Sequence, residues 1–259
     1  MSTLQLEKVN ASPWGTPLLS GISVAVTAGS ALGIVGPNGA GKTSLLRLIA
    51  GDFTADSGSM RITNQELADL PPRLRARQLA YLPQFSLLNF PYTVEEVVIL
   101  GRTPHDTGHT EDQRILDAVL ASVDISALRD RLYTQLSGGE KQRVQLARVL
   151  AQIWDDDSME NKILLLDEPT TALDLAHQQQ LLDIVRDLKQ RLCTVLVVIH
   201  DFNLLASIAD QVLVLDHGMQ VTHGTPHEVY QPSLFADLFD TRVLINTHPT
   251  RGYPFVIPQ

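Results

Sequence analysis

The chain has 259 residues, of which 44% are hydrophobic and 19% charged, the composition of a globular protein with a substantial core. Its formal net charge of −9 excludes a general electrostatic attraction to nucleic acid or to anionic lipid. Cys193 is the single cysteine, which excludes a disulfide within the chain and favours a cytosolic protein in which this residue is buried. Residues 1–10 lack the apolar stretch of a signal peptide, and no segment approaches the ~18 apolar residues of a membrane span.

The N-terminal segment predicts an antiparallel sheet. Residues 4–9 and 21–27 alternate apolar and polar side chains, as strands with one solvent-exposed face do. Trp14 lies in the connection between them. Its ring could stack on a nucleotide base or cover the edge of the sheet, and the sequence leaves both interpretations open.

A glycine-rich loop follows a predicted buried strand over residues 31–35 and precedes a predicted helix over 44–50. It fits the pattern Gly, four residues, Gly-Lys-Ser/Thr. Glycines let successive N–H groups point inwards, and the positive end of the helix faces the same place, so the pattern predicts a polyphosphate cradle. We expect Lys42 to neutralise phosphate charge and Thr43 to present its hydroxyl to a magnesium ion. The residues of the cradle are Gly36, Pro37, Asn38, Gly39, Ala40, Gly41, Lys42, Thr43 and Ser44.

The middle of the chain predicts mostly helices and loops. Before it come a short strand over 60–62, a basic helix over 73–77 and a strand over 80–82 that ends at Pro83 and Gln84. A capping box of Thr93 and Glu96 predicts a helix as far as residue 101, and residues 111–123 have a second amphipathic pattern. We interpret this region as a helical insertion in an α/β core. Its apolar residues could pack internally or form a docking face for another protein; they are Phe85, Leu87, Leu88, Phe90 and Tyr92.

A second helix start that contains glycines lies at residues 136–140, with the sequence Leu-Ser-Gly-Gly-Glu. Ser137 and Glu140 form a capping box for a helix that reaches about residue 150. Gly138 and Gly139 leave backbone N–H groups open to an approaching ligand, which favours a second phosphate site. A plain helix cap would explain the same pattern.

Two carboxylates follow a predicted buried strand over residues 163–166. Asp167 and Glu168 then lie at its carboxyl end, where open α/β sheets bind their ligands. One carboxylate can hold magnesium, and the next, on the other side, can polarise the water that attacks a γ-phosphate. A predicted helix over 177–191 separates them from another buried strand, 195–199, whose end places His200 where it could contact the γ-phosphate.

Two further groups of polar residues raise the question of a metal or haem site. The acidic loop fits a solvated linker better than a metal site; it consists of Asp155, Asp156, Asp157, Ser158 and Glu160. Five scattered histidines have no paired spacing, and no apolar haem pocket accompanies them, so we interpret them as surface residues and not as haem ligands. They are His105, His109, His217, His223 and His227.

Taken together, these motifs resemble those of the ATP-binding cassette (ABC) ATPases, the nucleotide-binding subunits of membrane transporters, over nearly the whole chain. Residues 36–43 match the Walker A motif, 136–140 the family signature and 163–168 the Walker B motif. The remaining matches are Gln84 to the Q-loop, Leu173 and Asp174 to the D-loop, and His200 to the switch histidine, all in the order of the family. Thr171 stands where the family usually has serine at the start of the D-loop.

The resemblance implies a P-loop NTPase (RecA-like) α/β fold, with a three-layer core, an antiparallel β edge subdomain and an inserted α-helical subdomain. It implies one ABC ATPase domain over 1–259, with the core in 1–85 and 150–259 and the helical subdomain in 86–149. ATP and Mg²⁺ are the implied cofactors. The implied catalytic residues are Glu168, His200 and Gln84, and the implied metal ligands are Thr43, Gln84 and Asp167. Implied nucleotide contacts outside the cradle are Trp14, Ser137, Gly138, Gly139 and Asp174.

Some segments are similar in particular to bacterial haemin-import ATP-binding proteins; they are residues 90–98, 151–154, 174–178 and 248–258. This similarity implies an ATPase that powers haem uptake across the bacterial inner membrane. Related importers of ferric siderophores or cobalamin share much of this pattern and stay as alternatives.

The family pattern also implies partners. Two copies would pair head to tail as a homodimer, each signature closing over the ATP that the other copy holds. The pair would work with two transmembrane permease subunits and, indirectly, with a periplasmic haem-binding protein, at the cytoplasmic face of the inner membrane and without nucleic acid. Two rival functions are a soluble ABC ATPase that acts on ribosomes or DNA and a nucleotide-binding regulator without turnover. The absence of an internal repeat in the sequence argues against the first, and the catalytic residues Lys42, Asp167, Glu168 and His200 argue against the second.

Overall fold

The computed structural model describes residues 2–84, 88–155, 159–171 and 173–259, with only the backbone of residue 2. Elements are numbered in chain order. The strands are β1 (Ser2–Ala11), β2 (Leu19–Thr27), β3 (Ala31–Val35), β4 (Ser57–Ile62), β5 (Gln65–Glu66), β6 (Leu79–Leu82), β7 (Ile163–Asp167), β8 (Thr194–Val198), β9 (Gln211–Asp216), β10 (Met219–Gly224), β11 (Val243–Thr247) and β12 (Pro254–Pro258). The helices are α1 (Lys42–Ala50), α2 (Pro72–Gln78), α3 (Val94–Ile99), α4 (His109–Ser122), α5 (Gly138–Ile153), α6 (Leu175–Gln190), α7 (Phe202–Ala206), α8 (Pro226–Val229) and α9 (Pro232–Phe239).

Parallel strands form one half of a ten-stranded sheet, in the order β9-β3-β8-β7-β6, with β6 at its edge. Their side chains alternate between two hydrophobic cores. In β7, Leu164 and Leu166 belong to the core that includes α3 to α6, whereas Ile163 and Leu165 belong to the core that includes α1. Because both faces of β7 are buried, its sequence is a continuous apolar run, as predicted. The predicted three-layer α/β core is confirmed.

The antiparallel part of the sheet lies at the other edge. β1 pairs with β2 and with β4, and β4 pairs with β5, all antiparallel. β10 joins the two parts, since it pairs antiparallel with β9 and in parallel with β2 at Met219 and Ser20. The alternating pattern predicted a sheet with one exposed face, and β2 has this pattern, with Ile22, Val24 and Val26 buried.

The helical insertion contains the predicted helices with small differences at their ends. Thr93 caps α3 by a capping box with Glu96, and a 3₁₀ turn over Leu100–Arg102 extends the helix. α4 begins at His109 instead of 111, and α3 and α4 both pack against α5. Among the apolar residues of this region, Leu88 packs against the core whereas Phe90 and Tyr92 are exposed, and Phe85 and Leu87 lie outside the described residues.

The C-terminal part of the chain contains elements that were not predicted, from β9 to β12 together with α7 to α9. β9 is a central strand, next to β3. β11 and β12 form a separate two-stranded sheet. Within the residues described by the structure, none of the helices combines the length and the apolar character required to cross a membrane.

Candidate active site

The glycine-rich loop is held in a conformation that needs glycine. Gly39 and Gly41 have φ angles of 82° and 99°, in the left-handed region that other residues rarely adopt. A Cβ atom on Gly36 would lie 2.1 Å from the carbonyl oxygen of Leu215, so the close approach of loop and β9 also excludes a side chain there. The loop therefore keeps the bare backbone that the sequence predicted. A cavity of about 290 Å³ adjoins it, lined by Leu18, Asn38, Gly39, Ala40, Gly41, Lys42, Thr43, Ser44 and Glu168.

Lys42 lies at the start of α1, with 8% of its surface exposed. Its Nζ donates hydrogen bonds of 2.8 Å to the carbonyl oxygens of Gly36 and Pro37, which hold the ammonium against the loop. Burial lowers the pKa of this ammonium, and the nearby carboxylates of Glu168 and Asp167 oppose the shift. A cation at the mouth of a loop of backbone N–H groups is suited to phosphate oxygens.

Asp167 ends β7 and is fully buried. Thr43 donates a hydrogen bond of 3.2 Å from its hydroxyl to Oδ1, and Tyr81 donates one of 3.2 Å to Oδ2. Burial raises the pKa of the Asp167 carboxyl above its usual value, and the two hydrogen bonds oppose this shift. A hydroxyl and one carboxylate beside a phosphate cradle are the hard oxygen donors that fit Mg²⁺, which usually takes its other ligands from water and phosphate.

Glu168 follows Asp167 with a φ angle of 50°, so the chain turns and the two carboxylates have separate partners. Its Oε2 accepts a hydrogen bond of 2.6 Å from Nε2 of Gln84. Its Oε1 lies 2.6 Å from Nε2 of His200, which requires a proton on that nitrogen when the carboxylate is ionised. A carboxylate held from both sides, next to the phosphate cradle, is placed to accept a proton from water.

Strand register explains why these three side chains meet. β6 pairs with β7 in parallel, with Leu82 opposite Leu166, so the residue at position 84 lies level with the one at 168. β7 pairs with β8 in the same way, with Asp167 opposite Val198, so His200 follows at the same edge. The carboxyl ends of three neighbouring strands therefore bring Gln84, Glu168 and His200 together.

The signature residues lie apart from this cluster. Ser137 caps α5, since its Oγ accepts a hydrogen bond from the backbone N–H of Glu140. The backbone N–H of Ser137 in turn donates to the side-chain carboxylate of Glu140. Ser137 and Gly138 are exposed and Gly139 is partly buried. None of them lines the cavity at the glycine-rich loop, as far as the described residues define it.

Two further predicted contacts have local roles in the structure. Asp174 caps α6, with its Oδ1 accepting from the N–H of His177 at 2.9 Å, and the preceding Ala172 lies outside the described residues. Trp14 is 71% exposed, and its ring centroid is 6.2 Å from that of Phe53. It does not line the loop cavity as described, so its contact with a base stays a prediction.

Three of the histidines that the sequence singled out make local hydrogen bonds, and the absence of a haem site in this chain stays a prediction. His105 and His227 each bond to a backbone carbonyl, of Gln152 and Gly252 respectively, and His223 bonds to Gln211. The part of the chain that the structure describes contains no group of three or more His, Cys, Asp or Glu side chains suited to a metal. Of the acidic loop, Asp156, Asp157 and Ser158 lie outside that part, so its interpretation as a solvated linker stays a prediction.

Sequence reasoning missed two features of the site. Tyr81 was not singled out, although a hydroxyl in the otherwise apolar strand that precedes Gln84 is a signal. The second is a cleft of about 530 Å³ between the glycine-rich loop, His200 and α9. Its lining includes Pro37, Asn38, Phe202, Phe239 and Asp240.

Comparisons with known proteins agree with this geometry. The family model described as ABC transporter matches residues 19–171. The hemin import ATP-binding protein HmuV of Pseudomonas fluorescens is 45% identical over 256 residues, which cover 99% of this chain and 100% of the relative. HmuV of Pseudomonas aeruginosa is 42% identical with the same coverage.

Solved structures agree as well. A transporter described as of metal-chelate type, in an inward-facing conformation, superimposes with a TM-score of 0.82 at 25% identity, covering 100% of this chain and 98% of that chain. The protein cbiO1 of Clostridium perfringens, part of the transporter complex cbiONQ, gives a TM-score of 0.74 at 26% identity, with coverage of 90% and 92%. The chain therefore belongs to the ABC transporter family, as one of its ATP-binding, ATP-hydrolysing proteins.

Proposed function

We propose that this chain is the ATP-hydrolysing subunit of a bacterial haem importer. The observation that supports ATP hydrolysis is the position of the Glu168 carboxylate, which Gln84 and His200 both hold at 2.6 Å beside the phosphate cradle. The substrate rests on relatives at 42% to 45% identity that are named hemin import ATP-binding proteins.

The residues divide the chemistry of ATP hydrolysis among them. The loop from Gly36 to Thr43 binds the phosphates through backbone N–H groups, and Lys42 offsets their charge. Thr43, Asp167 and Gln84 would hold a magnesium ion, which would neutralise negative charge on the phosphates.

Glu168 acts as general base. A water oxygen attacks the γ-phosphorus, the bond to the oxygen of ADP breaks, and the carboxylate takes the proton of the water. His200 holds Glu168 at one oxygen and Gln84 holds it at the other. His200 would also contact the γ-phosphate. A carboxylate offers about four lone-pair positions, so these two bonds leave room for the water.

A second copy of the chain completes the site. Ser137, Gly138 and Gly139 lie at the start of α5, where the positive helix end favours an anion, yet they do not line the chain's own loop cavity. The proposed homodimer places them over the ATP held by the other copy. Asp174 is 67% exposed at the side chain and would also face the partner.

The proposed membrane partners are two permease subunits, which the dimer contacts from the cytoplasmic face of the inner membrane. Family membership implies permease partners. The contact region proposed here is the helical subdomain, residues 86–149, where Phe90 and Tyr92 are 63% and 42% exposed with their rings 6.0 Å apart. The core then consists of 1–85 and 150–259. A net charge of −9 argues against a nucleic acid partner.

A haem-loaded periplasmic protein would signal to the ATPase through the permease. The test is ATP hydrolysis by the subunit purified with its permease in lipid, with empty carrier, haem-loaded carrier, and carriers loaded with a ferric siderophore or cobalamin. We expect stimulation by the haem-loaded carrier alone, and the Glu168→Gln complex serves as the control for background hydrolysis. Stimulation by another carrier would assign the substrate to the ligand of that carrier, a ferric siderophore or cobalamin, and overturn the haem assignment.

A further inference from the structure

The short helix α7, Phe202–Ala206, begins directly after the pair His200 and Asp201. A helix of this length has few internal hydrogen bonds, so its orientation depends on its neighbours. The side chain of His200 is 56% exposed, and its one described bond is to Glu168. Packing around the imidazole itself therefore constrains it little, and its direction depends on the main chain on both sides of it, the end of β8 and the start of α7.

One side of α7 is fixed by the strand that leads into the glycine-rich loop. Leu205 is fully buried, and its side chain lies so close to Gly33 of β3 that a Cβ atom there would be 2.7 Å from it. Asp201 caps the helix, with Oδ1 accepting from the N–H groups of Asn203 and Leu204 at 2.8 and 3.0 Å. The Leu205 contact holds the helix to the sheet, and the cap fixes its first turn.

The other side of α7 is held by residues 226–258, which we name the C-terminal module. Asn203 forms a pair of bonds with one residue of β12, since Nδ2 donates to the carbonyl of Val256 at 3.0 Å and Oδ1 accepts from its N–H at 2.7 Å. Val256 is 6% exposed, so this pairing is largely shielded from water.

An aromatic cluster adds a second connection. The ring of Phe202 packs edge to face against Phe235 and Phe239 of α9, with centroids 4.8 and 5.1 Å apart, and against Tyr230 at 5.7 Å. The hydroxyl of Tyr230 donates to the carbonyl oxygen of Phe202 at 3.3 Å. Phe202 and Phe239 also line the cleft that His200 borders, so the module reaches the active-site edge.

We propose that the C-terminal module positions His200 against Glu168, and that Asn203 is the positioning residue through which it acts. The inference rests on the proposed function, because the proposed function gives the observed contact between His200 and Glu168 its role in ATP hydrolysis. Removal of the Asn203 side chain breaks both bonds to Val256, lets α7 shift, and displaces the imidazole from the carboxylate.

The test compares Asn203→Ala with a matched control. Asn10 makes a similar pair of hydrogen bonds to backbone groups in the antiparallel sheet. Its Oδ1 accepts from the N–H of Gly21 and its Nδ2 donates to the carbonyl oxygen of Lys8, both at 2.9 Å. The readout is the NMR spectrum of ¹³C,¹⁵N-histidine-labelled protein, in which the signals of His200 are identified by their loss in His200→Gln. ATP hydrolysis is measured in parallel.

We expect the His200 signals to move in Asn203→Ala and to stay in place in Asn10→Ala. The turnover number should fall roughly 3- to 10-fold in Asn203→Ala with KM for ATP nearly unchanged, because only the alignment of the reacting groups is lost. If Asn203→Ala does not fold, Tyr230→Phe is the test of the module: it removes the hydroxyl that bonds to Phe202 and should still move the His200 signals from their positions in the parent protein.

His200 signals that coincide with those of the parent protein overturn the proposal, even if turnover falls, because the loss then arises elsewhere. Equal movement in Asn10→Ala overturns it too, since the effect is then general. The spectra require no turnover. A parent protein that does not hydrolyse ATP would therefore contradict the proposed function and leave the spectra to decide this inference separately.

Discussion

At the scale of single residues, the site depends on which side chains form hydrogen bonds with each of two neighbouring carboxylates. The pair Asp167 and Glu168 could be predicted from sequence because it follows a buried strand. Their bonding partners could not, since Gln84 and His200 reach Glu168 only through the registers of β6, β7 and β8, which are set by contacts distant in sequence. Tyr81 was missed for the same reason.

Tyr81 supports the proposed magnesium site through its bond to Oδ2 of Asp167. We expect Tyr81→Phe to raise the Mg²⁺ concentration for half-maximal hydrolysis roughly tenfold, because hydrogen-bond partners of metal ligands orient them. Mn²⁺ binding followed by electron paramagnetic resonance gives a second readout.

The control for this variant is Tyr133→Phe. Tyr133 is buried, whereas Tyr81 is partly buried; the Tyr133 hydroxyl accepts from Gln145 at 3.0 Å, but Tyr133 lies in the helical insertion. An equal loss of metal affinity in both variants, or none in Tyr81→Phe, would remove the proposed role of the Tyr81 hydroxyl.

At the scale of elements, the sequence predicted well those features that depend only on residues close together in the chain, such as helix caps. Both capping boxes, at Thr93 and Ser137, are present as predicted, because the spacing of cap and glutamate determines their geometry. β9 was not predicted although its residues 212–215 are an apolar run bounded by polar residues. Its place beside β3 depends on the order of strands and not on local sequence.

The two caps provide a matched pair for testing the proposed second phosphate site. Ser137→Ala and Thr93→Ala should each lower the free energy of unfolding by about 1 kcal/mol, since each loses a cap hydrogen bond. Only Ser137→Ala should also lower ATP hydrolysis and ATP-dependent dimer formation. Denaturant unfolding and light scattering measure both effects, and equal activities would make Ser137 a helix cap alone.

The ion pair of Glu95 and Arg129 links α3 to the turn after α4, at 2.6 Å and with about a third of each side chain exposed. Hydrogen bonds from Arg129 and Gln113 hold the pKa of Glu95 below its usual value. A lowered pKa in the folded state means that this stabilisation is present at neutral pH and is lost as pH falls through the folded-state pKa.

Glu95→Gln should therefore lower the free energy of unfolding by about 1 kcal/mol at pH 7, and the difference from the parent should diminish between pH 7 and acid pH, as the pH falls through the lowered pKa of Glu95. Denaturant titrations of both proteins at each pH measure it. A difference that stays constant over this range would mean that charge is not its cause.

At the scale of the whole molecule, the motifs predicted the fold class and the enzyme family because phosphate chemistry fixes both their residues and their order along the chain. The C-terminal module carries no such motif. Its contacts with Phe202 and Asn203 became visible only in the folded chain.

The proposed homodimer predicts that a variant that binds ATP without hydrolysing it stays closed. With Mg²⁺ and ATP, we expect light scattering of Glu168→Gln to give about twice the monomer mass of 28.5 kDa, and the parent protein to return to monomer as ATP is consumed. Lys42→Ala, which loses the phosphate cation, is the control and should stay monomeric. A monomeric Glu168→Gln protein that has bound ATP would contradict the head-to-tail arrangement.

The most direct test of the central claim is the steady-state rate of ATP hydrolysis by Glu168→Gln compared with the parent protein, with ATP binding measured in the same samples. Loss of the general base should lower the rate at least ~100-fold while ATP binding is retained. An unchanged rate would show that Glu168 is not the base and that the cluster with Gln84 and His200 is not the catalytic centre.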